Sequence, residues 1–251
     1  DANRALPLWL AIYNRNPDSD LIAIAKHCRA AGINRVRLPQ EYYGALKQPL
    51  GWRYWLCDPQ GYRDARAEIE GAYALLDDEE SQLGFLATLK FRLGLPMELG
   101  PSPSAEPHYF PDLILSALRA RGPGCIFLDG GAYDGCTLKQ AASVLSLRRA
   151  YAFEPDLTNY ALLTSEATAL GVPLISYPCG LSDVTAWLTF TSDKGEASAI
   201  SPTGNTHILC VRIDDCLIGE PVDYLKLDIE GHEVAALAGA RQVIARNRPI
   251  L

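Results

Sequence analysis

An acid and a cluster of glycines lie between an apolar run and a helix-forming stretch, and this order allows few folds. The apolar run, residues 125–128, predicts a short buried strand, and the stretch with helical spacing covers residues 137–147. An open α/β sheet builds a ligand crevice with this order of strand, acid, glycine turn and helix. Glycine accepts the positive φ of a tight turn without steric cost and lets a ligand approach the backbone. The candidate ligand-binding residues of the turn are Asp129, Gly130, Gly131, Ala132, Tyr133 and Gly135.

A tight turn without a ligand is the alternative, and a second acid argues against it. Residues 150–153 form another short apolar run, which is followed by Glu154 and Pro155. Glu154 lies 24 residues after Gly130, close to the spacing of about 20 residues at which an acid meets ribose hydroxyls in such sheets. The other interpretation of Glu154 is a cap for the helix that follows. The spacing favours ribose binding.

The glycine pattern indicates which adenosine ligand the crevice suits. The dinucleotide pattern G-x-G-x-x-G is absent, since Tyr133 stands where its second glycine would fall if Gly131 were the first. The phosphate-binding sequence Gly-Lys-Ser/Thr is absent as well. S-adenosylmethionine has no phosphate and carries a sulfonium and an ammonium, which Asp129 and Asp134 would suit. The residues therefore favour S-adenosylmethionine over a dinucleotide.

A third stretch completes the pattern. Residues 222–227 predict a strand that runs into an acidic turn, and residues 234–240 begin a helix. With the earlier motifs, this stretch resembles the FkbM family of S-adenosylmethionine-dependent methyltransferases. The segments that carry the resemblance are residues 129–132, 152–155, 180–183 and 226–233, with Leu237 and residues 239–240.

The resemblance implies a fold, a cofactor and a reaction. It extends from Tyr109 to Leu251 and implies an α/β protein with a Rossmann-like class I methyltransferase sheet, helices on both faces and bound S-adenosylmethionine. It also implies that Asp183 faces the adenine edge, whereas a turn residue of a hairpin is the alternative for that position. The expected reaction is O-methylation of a small-molecule or sugar hydroxyl. The alternatives are a nucleotide-dependent oxidoreductase and a non-catalytic protein that binds an adenosyl ligand.

Candidates for catalysis lie in the acidic turn after the fourth strand, at the edge where ligands bind in such sheets. Methyl transfer is an in-line displacement, and a hydroxyl acceptor also needs a base within hydrogen-bond reach. Asp228 is expected near the methionine end of the cofactor or near the acceptor. Glu230 is expected to orient the acceptor or take its proton, and His232 is a candidate base because histidine titrates near neutral pH. The alternative is that these acids only stabilise the first turn of a helix. No metal site is predicted, because no second histidine stands at a ligand spacing; a divalent ion held by the metal-capable side chains of this turn is the alternative.

The chain is expected to contain two domains. A proline-rich linker at 95–108 separates residues 1–94, a partial α/β and helical domain, from the methyltransferase domain at 109–251. Consecutive acids at 77–80 predict a break between two helices, and residues 248–251 predict the start of a further strand, so the methyltransferase domain is expected to continue beyond Leu251. The elements expected in the first domain are a strand at 6–13, a helix at 20–31, a strand at 33–38 and a mostly helical stretch at 63–93.

Two further segments are expected near the crevice. Residues 109–111 lead into a helix and are expected to roof the ligand. Residues 186–190 and 208–213 predict two extra β strands, and the polar loop 191–206 between them either orders over the substrate or remains a surface loop.

Composition excludes several functional classes. The net charge is −7 and the isoelectric point is about 5.1, which argues against binding nucleic acid by phosphate neutralisation. No apolar run approaches the roughly 20 residues of a membrane span, so no membrane partner is expected. The seven cysteines form no Cys-x-x-Cys pair, which favours free thiols in a reducing cytoplasm.

Overall fold

The computed structural model describes residues 21–33, 36, 59–93, 95, 106–167, 171–192 and 199–251. The chain divides into two units, Asp1–Ala105 and Glu106–Leu251, and the division falls inside the proline-rich stretch. The strand expected at 6–13, most of the strand expected at 33–38, most of the linker and residues 193–198 of the polar loop lie outside the described residues.

The described part of the first unit is helical. Helix α1 spans Leu21–Ala30, close to its expected bounds, and Gly32 follows it with a φ of +85°. The stretch predicted to be mostly helical forms three helices, with the predicted break before the last of them, where Asp78 Oδ1 accepts a hydrogen bond of 2.7 Å from Ser81 N. These helices are α2 (Pro59–Asp64), α3 (Arg66–Tyr73) and α4 (Glu79–Arg92).

The second unit alternates strands and helices up to β3, then has four further strands in succession before α8. Its elements, in chain order, are α5 (Asp112–Ala120), β1 (Cys125–Gly130), α6 (Cys136–Val144), β2 (Leu147–Phe153), α7 (Leu157–Ala167), β3 (Leu174–Tyr177), β4 (Gly180–Leu181), β5 (Ala186–Thr191), β6 (Ala199–Ile200), β7 (Thr206–Val211), α8 (Ile213–Cys216), β8 (Tyr224–Leu227), α9 (Glu233–Ala238) and α10 (Arg241–Asn247).

The main sheet has the strand order β3-β2-β1-β8, and its pairs are all parallel. From β1 the chain moves outward to β2 and β3, and it then returns to the opposite side of β1 with β8. This reversal creates a topological switch point, where the carboxyl ends of neighbouring strands diverge and ligands bind. A parallel bridge between Tyr224 and Ile250 adds the start of the strand that was predicted at 248–251.

Both faces of the main sheet are covered by helices. In β1, Phe127 packs into one apolar cluster while Ile126 and Leu128 pack into another, because successive side chains of a strand point to opposite faces. Helices α5, α6 and α7 contribute to the first cluster and helices α8, α9 and α10 to the second. This arrangement explains why β1 is buried along its whole length and why its sequence is a continuous apolar run. The expected α/β fold with helices on both faces is confirmed.

A second, smaller sheet lies between β3 and β8 in the chain. Its order is β4-β7-β5-β6, with β5 antiparallel to both β7 and β6, and β4 parallel to β7. The two extra strands predicted from the sequence are β5 and β7, and they pair with each other. None of the helices in the described ranges is both long enough and apolar enough to cross a membrane.

Candidate active site

A cavity of about 300 Å³ lies at the carboxyl ends of β1, β2 and β8, and the second sheet adds to its wall. Half of the residues predicted for the site line this cavity, namely Gly131, Tyr133, Glu154, Pro155, Asp228 and Glu230. The other half do not line it, namely Asp129, Gly130, Ala132, Gly135, Asp183 and His232.

The glycine turn packs directly against the turn that follows β8. Gly131 has a φ of +74°, and a Cβ at this position would lie 2.0 Å from the carbonyl oxygen of Asp228. Asp228 N donates to Gly130 O at 3.1 Å, and Gly131 N donates to Phe153 O at 3.0 Å. The backbone of this turn therefore ties together the ends of all three strands, and only glycine fits at position 131.

Glu154 is held rigidly at the end of β2. Its Oε2 accepts a hydrogen bond of 2.8 Å from Tyr133 N, and its Oε1 accepts one of 2.9 Å from Asp156 N. The side chain is buried, and this burial raises the pKa of Glu154 while the donated hydrogen bonds oppose the rise. Asp156, not Glu154, caps α7, because Asp156 Oδ1 accepts from Thr158 N at 2.9 Å. Helix capping therefore does not account for Glu154, and its carboxylate keeps acceptor positions for ligand hydroxyls.

Asp129 lies behind the cavity wall rather than in it. The register of β1 and β8 pairs Asp129 with Lys226, and Lys226 Nζ lies 2.9 Å from Asp129 Oδ1. The contact is an ion pair without good hydrogen-bond alignment, since neither Asp129 oxygen has a hydrogen-bond partner among the described residues. Burial raises the pKa of Asp129 to about 6, and Lys226 opposes the rise. Lys226 Nζ also donates to Gly131 O at 2.8 Å, so the ion pair supports the glycine turn.

The acidic turn after β8 presents two exposed carboxylates at the cavity, Asp228 and Glu230. Glu230 has a φ of +56°, a conformation that costs energy for a residue other than glycine and is found at ligand sites. Glu233 Oε1 accepts from Ile229 N at 3.0 Å and from Gly231 N at 3.2 Å. The turn is thus fixed by Glu233, and the two exposed acids remain at the rim of the cavity.

Comparison with known proteins identifies the family of this unit. Residues 129–251 match the model of the methyltransferase FkbM domain. Residues 129–251 belong to the FkbM methyltransferase family.

One solved structure shares the fold of this chain. The crystal structure of methyltransferase FkbM from Methylobacillus flagellatus KT matches over 90% of this chain with a TM-score of 0.57 and 22% sequence identity. The match spans 58% of the length of that longer chain, and identity at this level shows the fold alone. A search of the curated proteins gave no match.

Two predicted site residues of the FkbM domain, Asp183 and His232, both contact Ser182 rather than line the cavity. Ser182 Oγ lies 3.1 Å from His232 Nε2 and donates to Asp183 Oδ1 at 3.1 Å. The hydroxyl has one proton, so Nε2 of His232 is the donor when Ser182 donates to Asp183. The pairing depends on the approach of α9 to the segment after β4, where the backbone of Ser182 lies against Gly239.

Sequence reasoning about the FkbM motifs missed several polar residues of the cavity, among them Tyr109 and Lys226. Lys226 stands inside the most specific motif, and that position was the signal that could have identified it. Tyr109 was expected only to roof the crevice, whereas its hydroxyl donates to Asp228 Oδ2 at 2.5 Å. The second sheet also contributes Phe190, Ile200 and Ile208 to the wall, and their sequence pattern is that of ordinary strand residues.

No group of three or more histidine, cysteine or acidic side chains in the described segments has an arrangement that could hold a metal ion.

Proposed function

We propose that this FkbM domain binds S-adenosylmethionine in the cavity and transfers its methyl group to a hydroxyl of a small molecule or sugar. The observation that supports the proposal most strongly is the position of Glu154. It is buried, held by two backbone donors, and faces the same cavity as Gly131 and Asp228. This is the arrangement in which an acid at the end of the second strand accepts hydrogen bonds from ribose hydroxyls.

The charge of the cavity suits a cationic ligand. Its charged lining residues are Glu154, Asp228, Glu230 and Lys226, and Lys226 already pairs with Asp129. Among the described lining residues, three carboxylates therefore outnumber the one cation, Lys226. A sulfonium and an ammonium are stabilised by such a wall, whereas the pyrophosphate of a dinucleotide is repelled by it. This disfavours the oxidoreductase alternative.

The side chains divide into a cofactor group and an acceptor group. When bound, S-adenosylmethionine supplies an electrophilic methyl carbon. Glu154 is assigned to the ribose, and Asp228, which contacts the glycine turn through its backbone, is assigned to the ammonium of the methionine end. Glu230 stands exposed at the rim, where it orients the acceptor hydroxyl and takes its proton. His232 has no assigned step, because its Nε2 is engaged with Ser182 outside the cavity.

Calorimetric titration tests the cofactor assignment. The wild-type protein is expected to bind S-adenosylhomocysteine with micromolar affinity and to show no binding of NADPH. Glu154→Gln, which keeps the shape but removes the charge of the ribose acceptor, is expected to weaken binding by about tenfold or more, or ~1.4 kcal/mol. The control is Glu166→Gln, since Glu166 lies outside the cavity in a surface pair with Lys139, and unchanged binding is expected. Wild-type protein that binds NADPH but not S-adenosylhomocysteine would contradict the proposal.

A further inference from the structure

We propose that Tyr109 is a positioning residue of this site: its hydroxyl holds Asp228 in the orientation that receives the ammonium of S-adenosylmethionine. The inference rests on the proposed function and assigns a role to a residue outside the segment 129–251 that matches the family model. Tyr109, Asp228, Gly131 and Lys226 all line the same cavity.

The first observation is the contact between the two side chains. Tyr109 Oη donates to Asp228 Oδ2 at 2.5 Å. Asp228 is exposed on the turn after β8, where a short carboxylate side chain would otherwise sample several rotamers. Oδ1 receives no hydrogen bond from the described part of the chain, so the contact fixes one oxygen and leaves the other for a ligand. Burial and Asp228 itself both raise the pKa of Tyr109, so the phenol remains a donor at neutral pH.

The second observation is that Tyr109 is itself held in place. Tyr224 Oη donates to the backbone carbonyl of Tyr109, and the His108 ring stacks on the Tyr109 ring with centroids 4.3 Å apart. The next residue, Phe110, is buried and packs edge-on against Phe127 at 6.0 Å. Because Tyr109 is already held in place, it loses little further side-chain entropy when its hydroxyl orders Asp228.

The third observation links Tyr109 to the glycine turn. Lys226 Nζ lies 5.2 Å from the centroid of the Tyr109 ring, a distance that gives an attractive cation–π contact. The same ammonium donates to Gly131 O at 2.8 Å. One side chain therefore contacts both the acid assigned to the cofactor and the cation that supports the glycine turn. Through these two contacts, Tyr109 can align the glycine turn after β1 with the acidic turn after β8 around a ligand.

A double-mutant cycle in the full chain tests whether Tyr109 positions Asp228 or only packs in the site. The affinity for S-adenosylhomocysteine is measured in each variant. Tyr109→Phe is expected to weaken binding about tenfold, because the carboxylate loses a charge-assisted hydrogen bond. Asp228→Ala is expected to weaken it by at least as much. In the Asp228→Ala background, Tyr109→Phe is expected to change affinity by less than about twofold, because the partner through which it acts is gone.

The control is Tyr160→Phe, which removes a hydroxyl that contacts Ser176 and lies outside the cavity lining; unchanged binding is expected. Tyr109→Phe keeps the ring and is expected to keep the wild-type melting temperature within a few degrees. Equal weakening by Tyr109→Phe with and without Asp228, wild-type affinity in Tyr109→Phe, or failure of that variant to fold would each overturn the positioning role. Absence of binding to the wild-type protein would instead overturn the proposed function, and with it this inference.

Discussion

Gly131→Ala is expected to abolish binding of S-adenosylhomocysteine and to lower the free energy of unfolding by about 2–5 kcal/mol. Gly131 has a φ of +74°, and the added Cβ would lie 2.0 Å from the carbonyl oxygen of Asp228. The clash is with backbone, so a rotamer change cannot relieve it. The glycine turn and the turn after β8 would have to separate, and this would distort the cavity that both turns line. Urea unfolding and calorimetric titration of the same preparation measure both effects.

The matched control for Gly131→Ala is Gly219→Ala. Gly219 has a φ of +78°, nearly the same as Gly131, but its added Cβ would meet nothing within 4 Å. It therefore isolates the cost of the backbone conformation, about 1–2 kcal/mol, and binding is expected to be retained. Wild-type binding by Gly131→Ala would show that the close approach of the two turns is not needed for the ligand.

Lys226→Met is expected to lower the free energy of unfolding by about 3–5 kcal/mol at pH 7, because it leaves the fully buried carboxylate of Asp129 without its cation. Adding Asp129→Asn to this variant is expected to recover part of the loss, since an uncharged amide is cheaper to bury than an unpaired carboxylate. The surface control is Lys139→Met, whose exposed pair with Glu166 is worth no more than about 1 kcal/mol.

The stability of the Lys226→Met variant is also expected to depend on pH. Burial raises the pKa of Asp129 from its ordinary value near 4 to about 6, with Lys226 opposing the rise. Between pH 4 and 6, Asp129 is therefore protonated more in the folded protein than in the unfolded chain. The folded state loses this stabilisation as the pH rises from 4 to 6. Without Lys226, Asp129 stays protonated in the folded protein to a higher pH. The decrease in the free energy of unfolding caused by Lys226→Met, measured with urea, should therefore be smaller at pH 5 than at pH 7. An equal loss at both pH values would contradict this account of the ion pair.

The parts of the fold that the sequence predicts correctly are those set by local patterns. The apolar run at 125–128 and the glycine turn define β1 and its exit. The helix-forming stretch predicted at 137–147 becomes α6, although the helix ends at Val144 and Leu147 already begins β2. The extra strands were recognised from their own composition as well. Their assembly into a separate sheet was not predicted, because the pairing of β5 with β7 depends on contacts across the loop between them.

The features of the site that the sequence does not predict depend on the register between strands and on contacts between residues far apart in the sequence. Asp129 was expected to face the cofactor, but pairing between β1 and β8 places it opposite Lys226, and a buried carboxylate pairs with the nearest cation. His232 was a candidate base on chemical grounds, yet its partner Ser182 lies far away in the sequence. The contact of Tyr109 with Asp228 joins residues 119 positions apart, so no local pattern predicts it.

The proposed binding mode can be seen in a crystal structure of the protein with S-adenosylhomocysteine. The ligand is expected in the cavity at the ends of β1, β2 and β8. Its ribose hydroxyls should lie within hydrogen-bond distance of Glu154, and its ammonium should lie between the glycine turn and Asp228. A ligand bound elsewhere on the chain, or one in this cavity whose ribose does not contact Glu154, would contradict it.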